Sequence, residues 1–100
     1  MTDRIRMTDA ELFEAAARGA QARVLLDSPL FKEAAGKLER RLITTWRSAT
    51  TLDEREQIHA RLSALTTIIA DIRQYFDDGE AASAMLAKRS DGTASTKGSA

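Results

Sequence analysis

The stretch IHARLSALTTIIADIRQYF, residues 58–76, decides the fold. Six of its large apolar side chains recur at steps of four and three residues, which places them along one face of an α-helix in a heptad repeat. We call this set the apolar seam; it comprises Ile58, Leu62, Leu65, Ile69, Ile72 and Phe76. The seam predicts a long amphipathic helix that needs another helix, or another chain, to cover its apolar face.

Local signals set the expected limits of this helix. Thr51 and Glu54 form a Thr-x-x-Glu capping box, in which each side chain satisfies a free backbone donor of the other residue. At the other end, Asp77-Asp78-Gly79 predicts a stop, because glycine suits the left-handed position that follows many helices. The sequence therefore predicts a helix over about 52–78.

A second helix is expected directly before it. Ser28 is a natural N-cap and Pro29 suits the first helical position, so this helix should run over about 29–49. Its apolar line recurs at the same steps and comprises Phe31, Ala35, Leu38, Leu42, Thr45 and Ala49. A connection this short makes the two helices antiparallel, so the centre of the chain should be an α-helical hairpin.

The flanking segments carry weaker patterns. A capping box at Thr8 and Glu11 predicts an N-terminal helix over about 9–26, which Gly19 should weaken by about 1 kcal/mol relative to alanine. Residues 80–89 are alanine-rich and fit a short C-terminal helix, whereas residues 90–100 have no large apolar side chain and predict a disordered tail. The expected architecture is all-α, with a single domain over residues 1–89.

Composition excludes many functions. The 100 residues carry 15 basic and 15 acidic side chains, so the net charge is zero and gives no global preference for nucleic acid or membranes. There is no cysteine, and the sequence has no phosphate-binding glycine loop and no hydrolase or zinc-protease motif. No segment resembles a signal peptide or a membrane span. We therefore expect a non-enzymatic, cytoplasmic protein.

Individual polar residues do not change that expectation. His59 is the one histidine and lies beside the apolar seam, where a structural or solvent-exposed role is commoner than catalysis. Asp53, Glu54 and Glu56 fall in a first helical turn, where the helix dipole favours acids without any metal. We predict no catalytic, cofactor-binding or metal-binding residue.

Charge is distributed unequally between the two hairpin helices. Residues 29–49 carry five cations against two carboxylates, a net charge of +3, whereas residues 53–78 carry six carboxylates against three arginines, a net charge of −3. These opposite charges favour packing of one helix on the other, or of one copy on the next. Alternatively, Lys37, Arg40, Arg41 and Arg47 could follow a nucleic-acid backbone without reading its sequence.

The hairpin leaves open the question of what covers its apolar side. Two helices give each apolar stripe only one partner, so either the N-terminal helix or another subunit must cover the remainder. Trp46 lies beside the apolar line of its helix, which fits either the core or an interface. The predicted interface residues are Trp46 and the seam residues Leu62, Leu65, Ile69, Ile72 and Phe76.

Residues 22–82 resemble a family of short proteins found in tailed bacteriophages and prophages. The similarity lies in the segment ARVLLDSP from Ala22 to Pro29, in Trp46 before a short polar turn, in the charged opening at residues 54–56, and in the exit at residues 78–82. The resemblance implies an accessory protein of head assembly or DNA packaging that contacts a capsid, portal or terminase component. The hairpin is also similar in kind to the oligomerisation regions of small terminase subunits.

Three hypotheses follow. The first is a phage-encoded helical protein that forms homo-oligomers and acts by protein contact in virion assembly or packaging, in the host cytoplasm or in the virion. The second is a DNA-binding packaging subunit that uses the basic helix face. The third is a small inhibitor or regulator of a host protein.

Overall fold

The computed structural model describes the backbone of residues 7–99 and the side chains of residues 7–91. Three α-helices occupy this range: α1 (Asp9–Asp27), α2 (Pro29–Ser48) and α3 (Leu52–Ser99). No strand occurs among the described residues. The predicted all-α class is therefore confirmed, and the limits of α1 and α2 agree with the sequence patterns to within one residue.

The predicted caps form at all three helix starts. At α1, the amide of Glu11 donates to Thr8 Oγ1 at 3.1 Å and the amide of Thr8 donates to Glu11 Oε1 at 3.2 Å. At α2, Ser28 Oγ accepts from the amide of Phe31 at 3.3 Å. At α3, the amide of Glu54 donates to Thr51 Oγ1 at 3.1 Å. The Glu54 carboxylate, however, accepts from Thr50 rather than from Thr51.

The predicted end of α3 at Asp77-Asp78-Gly79 is wrong. No glycine among the described residues has a positive φ, so Gly79 is not a left-handed cap, and α3 continues to Ser99. The short C-terminal helix predicted over residues 80–89 is part of α3, and so are residues 90–99, for which a tail was predicted. The alanines after Gly79 favour the continuation, and Gln74 Nε2 donates to Asp78 Oδ1 at 2.8 Å within the helix.

Contacts group the chain into two units. The terminal unit contains residues 1–23 and 74–100, and the hairpin unit contains residues 24–73. Helix α3 contributes to both. The single domain over residues 1–89 stays a prediction.

The terminal unit is built on a close approach of two glycines. A Cβ atom added at Gly19 would lie 2.6 Å from the Cα atom of Gly79, and one added at Gly79 would meet Gly19 at the same distance. Beside this contact Leu12 is fully buried, and Ala22 and Ala82 are buried as well. The two glycines therefore let the backbones of α1 and α3 touch. Helix α1, as far as Arg23, packs against α3 of the same chain.

Polar contacts fix the antiparallel register of the terminal unit. The Arg89 guanidinium donates to the carboxylate of Asp9 and, at 3.0 Å, to the carbonyl oxygen of Met7. Ten residues inward on each helix, Gly19 meets Gly79. The start of α1 thus lies beside the later part of α3.

The hairpin unit has a small apolar core near its turn. Leu42, Ala49 and Ile58 are buried together, and Leu62 packs against them. The turn is closed by the amide of Ala49, which donates to the Trp46 carbonyl oxygen at 3.2 Å. These contacts pair the end of α2 with the start of α3, which confirms the predicted antiparallel hairpin.

Candidate interaction surfaces

The apolar seam lies on the least exposed face of α3. Between Leu52 and Asp78, its six members are the residues that are not exposed to solvent, as the heptad spacing predicts. Only Ile58, at 4% exposed, is buried, and the other five are half-buried. A single copy of the chain therefore leaves most of the seam in partial contact with water.

A cation–π contact marks one side of the hairpin. The Arg55 guanidinium lies 5.3 Å from the centroid of the Trp46 ring. Successive residues of a helix are separated by roughly 100°, so Trp46 lies about 40° to one side of the buried Leu42, and Leu38 lies about 40° to the other. On α3, Arg55 lies about 60° to the Trp46 side of Ile58.

The side of the hairpin opposite the Arg55–Trp46 contact carries exposed aliphatic side chains. Around α3, Ile68 lies about 60° from Leu65, in the direction opposite to that from Ile58 to Arg55. Ile68 therefore lies on the same side of the hairpin as Leu38. Leu38 is 40% exposed and Ile68 is 57% exposed. By the same helical geometry, the half-buried Leu65 and Ile72 lie about 20° and 40° from Ile58, on the side of Ile68. We call Leu38, Leu65, Ile68 and Ile72 the open face.

The basic residues of α2 form a separate surface. Lys37, Arg40, Arg41 and Arg47 are all exposed. Arg40, Arg47 and Lys37 lie roughly 140–160° around the helix from Leu42, and Arg41 lies about 100° from it. We call these four residues the cationic face, and it points away from the hairpin core.

Among the described side chains, ion pairs do not join one hairpin helix to the other. Within the described residues, the recorded ion pairs join Arg18 to Glu14 and Arg89 to Asp9, both in the terminal unit. None joins α2 to α3. The opposite net charges of the two helices therefore do not produce the direct pairing within one chain that the sequence favoured.

Trp46 takes an exposed edge position and not the core position, which was one of the two alternatives that its sequence position allowed. It is 42% exposed, with one ring face covered by Arg55. Arg55 Nη2 also donates to the Ala49 carbonyl oxygen at 3.4 Å. Trp46 therefore stabilises the turn of the hairpin, and its predicted interface role stays a prediction.

His59 and the acids at the start of α3 do not form a metal-binding group with other described side chains. His59 is exposed, and no group of three or more histidine or acidic side chains within residues 7–91 is placed to hold a metal ion. In the first turn of α3, Asp53 accepts a hydrogen bond from Gln57 at 3.3 Å. The acids of this turn therefore act locally in the helix.

The terminal unit adds a groove and a stacked pair that the sequence analysis missed. An apolar groove of about 350 Å³ is lined in part by Leu12, Ala82 and Met85. The Arg18 guanidinium lies 5.6 Å from the Tyr75 ring centroid. The available signal was one glycine in each of two alanine-rich segments, a pattern that permits close helix contact.

Comparison of the chain with protein-family models, curated proteins and solved structures found no match. Within the part of the chain that the structure describes, no helix has both the length and the apolar character needed to cross a lipid bilayer.

Proposed function

We propose that this chain is a non-enzymatic helical protein that binds further copies of itself through the open face and acts by protein contact. The observation that carries the proposal is the position of Leu38, Leu65, Ile68 and Ile72 on one side of a two-helix hairpin, with Leu38 and Ile68 exposed. Large aliphatic side chains gain about 1.5–3 kcal/mol each from full burial, and one copy realises only part of that gain.

A symmetric dimer is the simplest arrangement that covers this surface. In a two-fold interface each residue is used twice, so a patch from two helices becomes the centre of a four-helix contact. Lys37, Arg40 and Arg47 point away from the hairpin core and stay outside such an interface, whereas Arg41 lies about 60° from Leu38, at its edge. Association of the open faces therefore keeps three of the four cations of one copy away from those of the other.

The proposed biological setting is virion assembly or DNA packaging in a tailed bacteriophage. Its support is the resemblance of residues 22–82 to short phage and prophage proteins. In that setting the partners are a second copy of the chain and a capsid, portal or terminase component, and the protein works in the cytoplasm of the bacterial host or in the assembled particle.

The test compares two adjacent lysine substitutions on α3. Ile68→Lys places a charge on the open face, whereas Thr67→Lys places the same charge on the outward side of the same helix. Both positions are exposed in one copy, so both variants should keep the helical circular dichroism of the native chain. Sedimentation velocity should show an oligomer for the native chain and for Thr67→Lys, and a monomer for Ile68→Lys.

Two results would contradict the proposal. One is a native chain that sediments as a monomer at tens of micromolar. The other is an Ile68→Lys variant that keeps the native mass, since a buried lysine at the centre of an apolar contact is strongly unfavourable.

A further inference from the structure

We propose that the cationic face of α2 binds the phosphate backbone of duplex DNA without reading base sequence. This inference goes beyond self-association and does not depend on it. It rests on the position and exposure of Lys37, Arg40, Arg41 and Arg47, and on their having no ion-pair partner among the described side chains.

Within the described residues, interactions inside the helix account for Arg47 but not for Lys37, Arg40 and Arg41. All four are exposed on the side of α2 that faces away from the core, and no carboxylate of the described residues forms an ion pair with them. Arg47 lies in the last turn of α2, where the helix dipole favours a cation. Lys37, Arg40 and Arg41 lie in the middle of the helix, where the dipole gives no such stabilisation.

The dimensions of the cationic face fit a repeating anion. Residues 37–47 span about 15 Å along a helix that rises 1.5 Å per residue. One strand of duplex DNA carries a phosphate about every 3.4 Å along its axis, so about four phosphates fall within that length. Flexible lysine and arginine side chains can follow such a row, and contacts to phosphates carry no sequence information.

The packing of α2 favours DNA over an anionic membrane. A helix that lies on a membrane inserts its apolar face, but on α2 that face includes Leu42, which is buried in the hairpin core together with the C-cap residue Ala49. Leu30 is a large apolar side chain at the N-terminal end of the outward side, where it is followed by the acid Glu33 and then by cations, rather than by further large apolar residues.

The primary experiment measures binding of the full chain to a fluorescently labelled duplex by anisotropy over a range of salt concentrations. Four phosphate contacts should give a slope of log K against log salt of about −3.6 per bound copy. Two duplexes of unrelated sequence should bind equally, because the contacts are to phosphates.

Charge reversal provides the specific test. Arg40→Glu with Arg47→Glu should weaken binding at least about tenfold, because two attractive contacts become repulsive. The matched control, Arg73→Glu with Lys88→Glu, makes the same change in net charge at two exposed positions of α3 and should bind like the native chain. The neutral pair Arg40→Gln with Arg47→Gln should reduce the slope by about 1.8 without adding repulsion.

Several outcomes would overturn the proposal. The first is that the native chain does not bind the duplex at low salt. The second is that the Arg40/Arg47 and Arg73/Lys88 variants lose equal amounts of DNA affinity. The third is that vesicles of phosphatidylserine and phosphatidylcholine displace the DNA from the chain. Measuring the mass of each sample in parallel distinguishes a failure of DNA binding from a failure of self-association. A monomer that binds DNA contradicts the proposed function alone, and an oligomer that does not bind contradicts the cationic face alone.

Discussion

The contact between Gly19 and Gly79 predicts whether Gly79→Ala raises or lowers the stability of the chain. The direction of that change distinguishes the effect of tertiary packing from the effect of helix propensity. Glycine in a helix interior is about 1 kcal/mol less favourable than alanine, so propensity alone predicts that Gly79→Ala stabilises the chain. The structure predicts the opposite. The new Cβ atom would lie 2.6 Å from the Cα atom of Gly19 and 3.1 Å from the carbonyl oxygen of Ala15.

The expected magnitude follows from those distances. Carbon atoms pack best at about 3.5–4.0 Å, so a contact of 2.6 Å requires α1 and α3 to separate by roughly 1 Å. Both atoms belong to backbone or to a Cβ fixed on it, so no side-chain rotation relieves the overlap. Overpacking of this kind typically costs about 1–3 kcal/mol.

Gly36 supplies the matched control for the glycine substitution. A Cβ atom added there would meet only the end of the Arg40 side chain, at 3.2 Å, and that end can move. Gly36→Ala should therefore show the propensity gain alone. The difference in free energy of unfolding between Gly36→Ala and Gly79→Ala should be about 1–3 kcal/mol in favour of Gly36→Ala.

Urea denaturation followed by far-UV circular dichroism measures this difference. A shift of 1 kcal/mol corresponds to about 4–8 °C in the melting temperature of a domain of this size, so thermal melts provide a second readout. Equal stabilisation by Gly36→Ala and Gly79→Ala would refute the close contact between α1 and α3. Gly19→Ala should behave like Gly79→Ala, because the contact is reciprocal.

Four further predictions test other parts of the structure. Leu12→Ala should lower the free energy of unfolding by about 2–5 kcal/mol in urea melts, because Leu12 is fully buried. Ser28→Ala should cost about 1 kcal/mol in the same melts through loss of the N-cap of α2. Leu65→Ala should reduce the sedimentation mass while most helical circular dichroism remains, since Leu65 is half-buried in one copy. Arg73→Ala, at an exposed position, should change neither the mass nor the melting temperature; a large shift in either would show that α3 is wrongly oriented.

The parts of the fold that the sequence predicts are those set by local chemistry. Caps at Thr8, Ser28 and Thr51 depend on residues three positions apart, so their spacing alone predicts them. The apolar seam is predicted for the same reason, because a heptad period defines one helix face whatever packs against it.

The parts that the sequence does not predict depend on contacts between distant segments. Gly79 follows two aspartates and looks like a local stop, but its partner Gly19 lies sixty residues away and makes it a packing position. The open face likewise depends on the stacking of Arg55 on Trp46, which fixes the two sides of the hairpin. Periodicity indicates which face of α3 is apolar but not that Leu38 and Ile68 share a side.

The absence of ion pairs between the described side chains of α2 and α3 has a physical explanation. Their net charges have opposite signs, yet four of the five cations of α2, those of the cationic face, lie about 100–160° around the helix from Leu42 and so do not point toward α3. Net charge per helix does not specify direction around the helix axis. Angular position decides whether such charges meet within one chain or stay available to a partner.

The central claim is that a single copy leaves the open face uncovered and a second copy covers it. Light scattering of the native chain over a range of concentrations, up to tens of micromolar, tests this claim most directly. We predict a mass that rises with concentration to a multiple of the 11.0 kDa chain. A mass of 11.0 kDa at every concentration would contradict the claim.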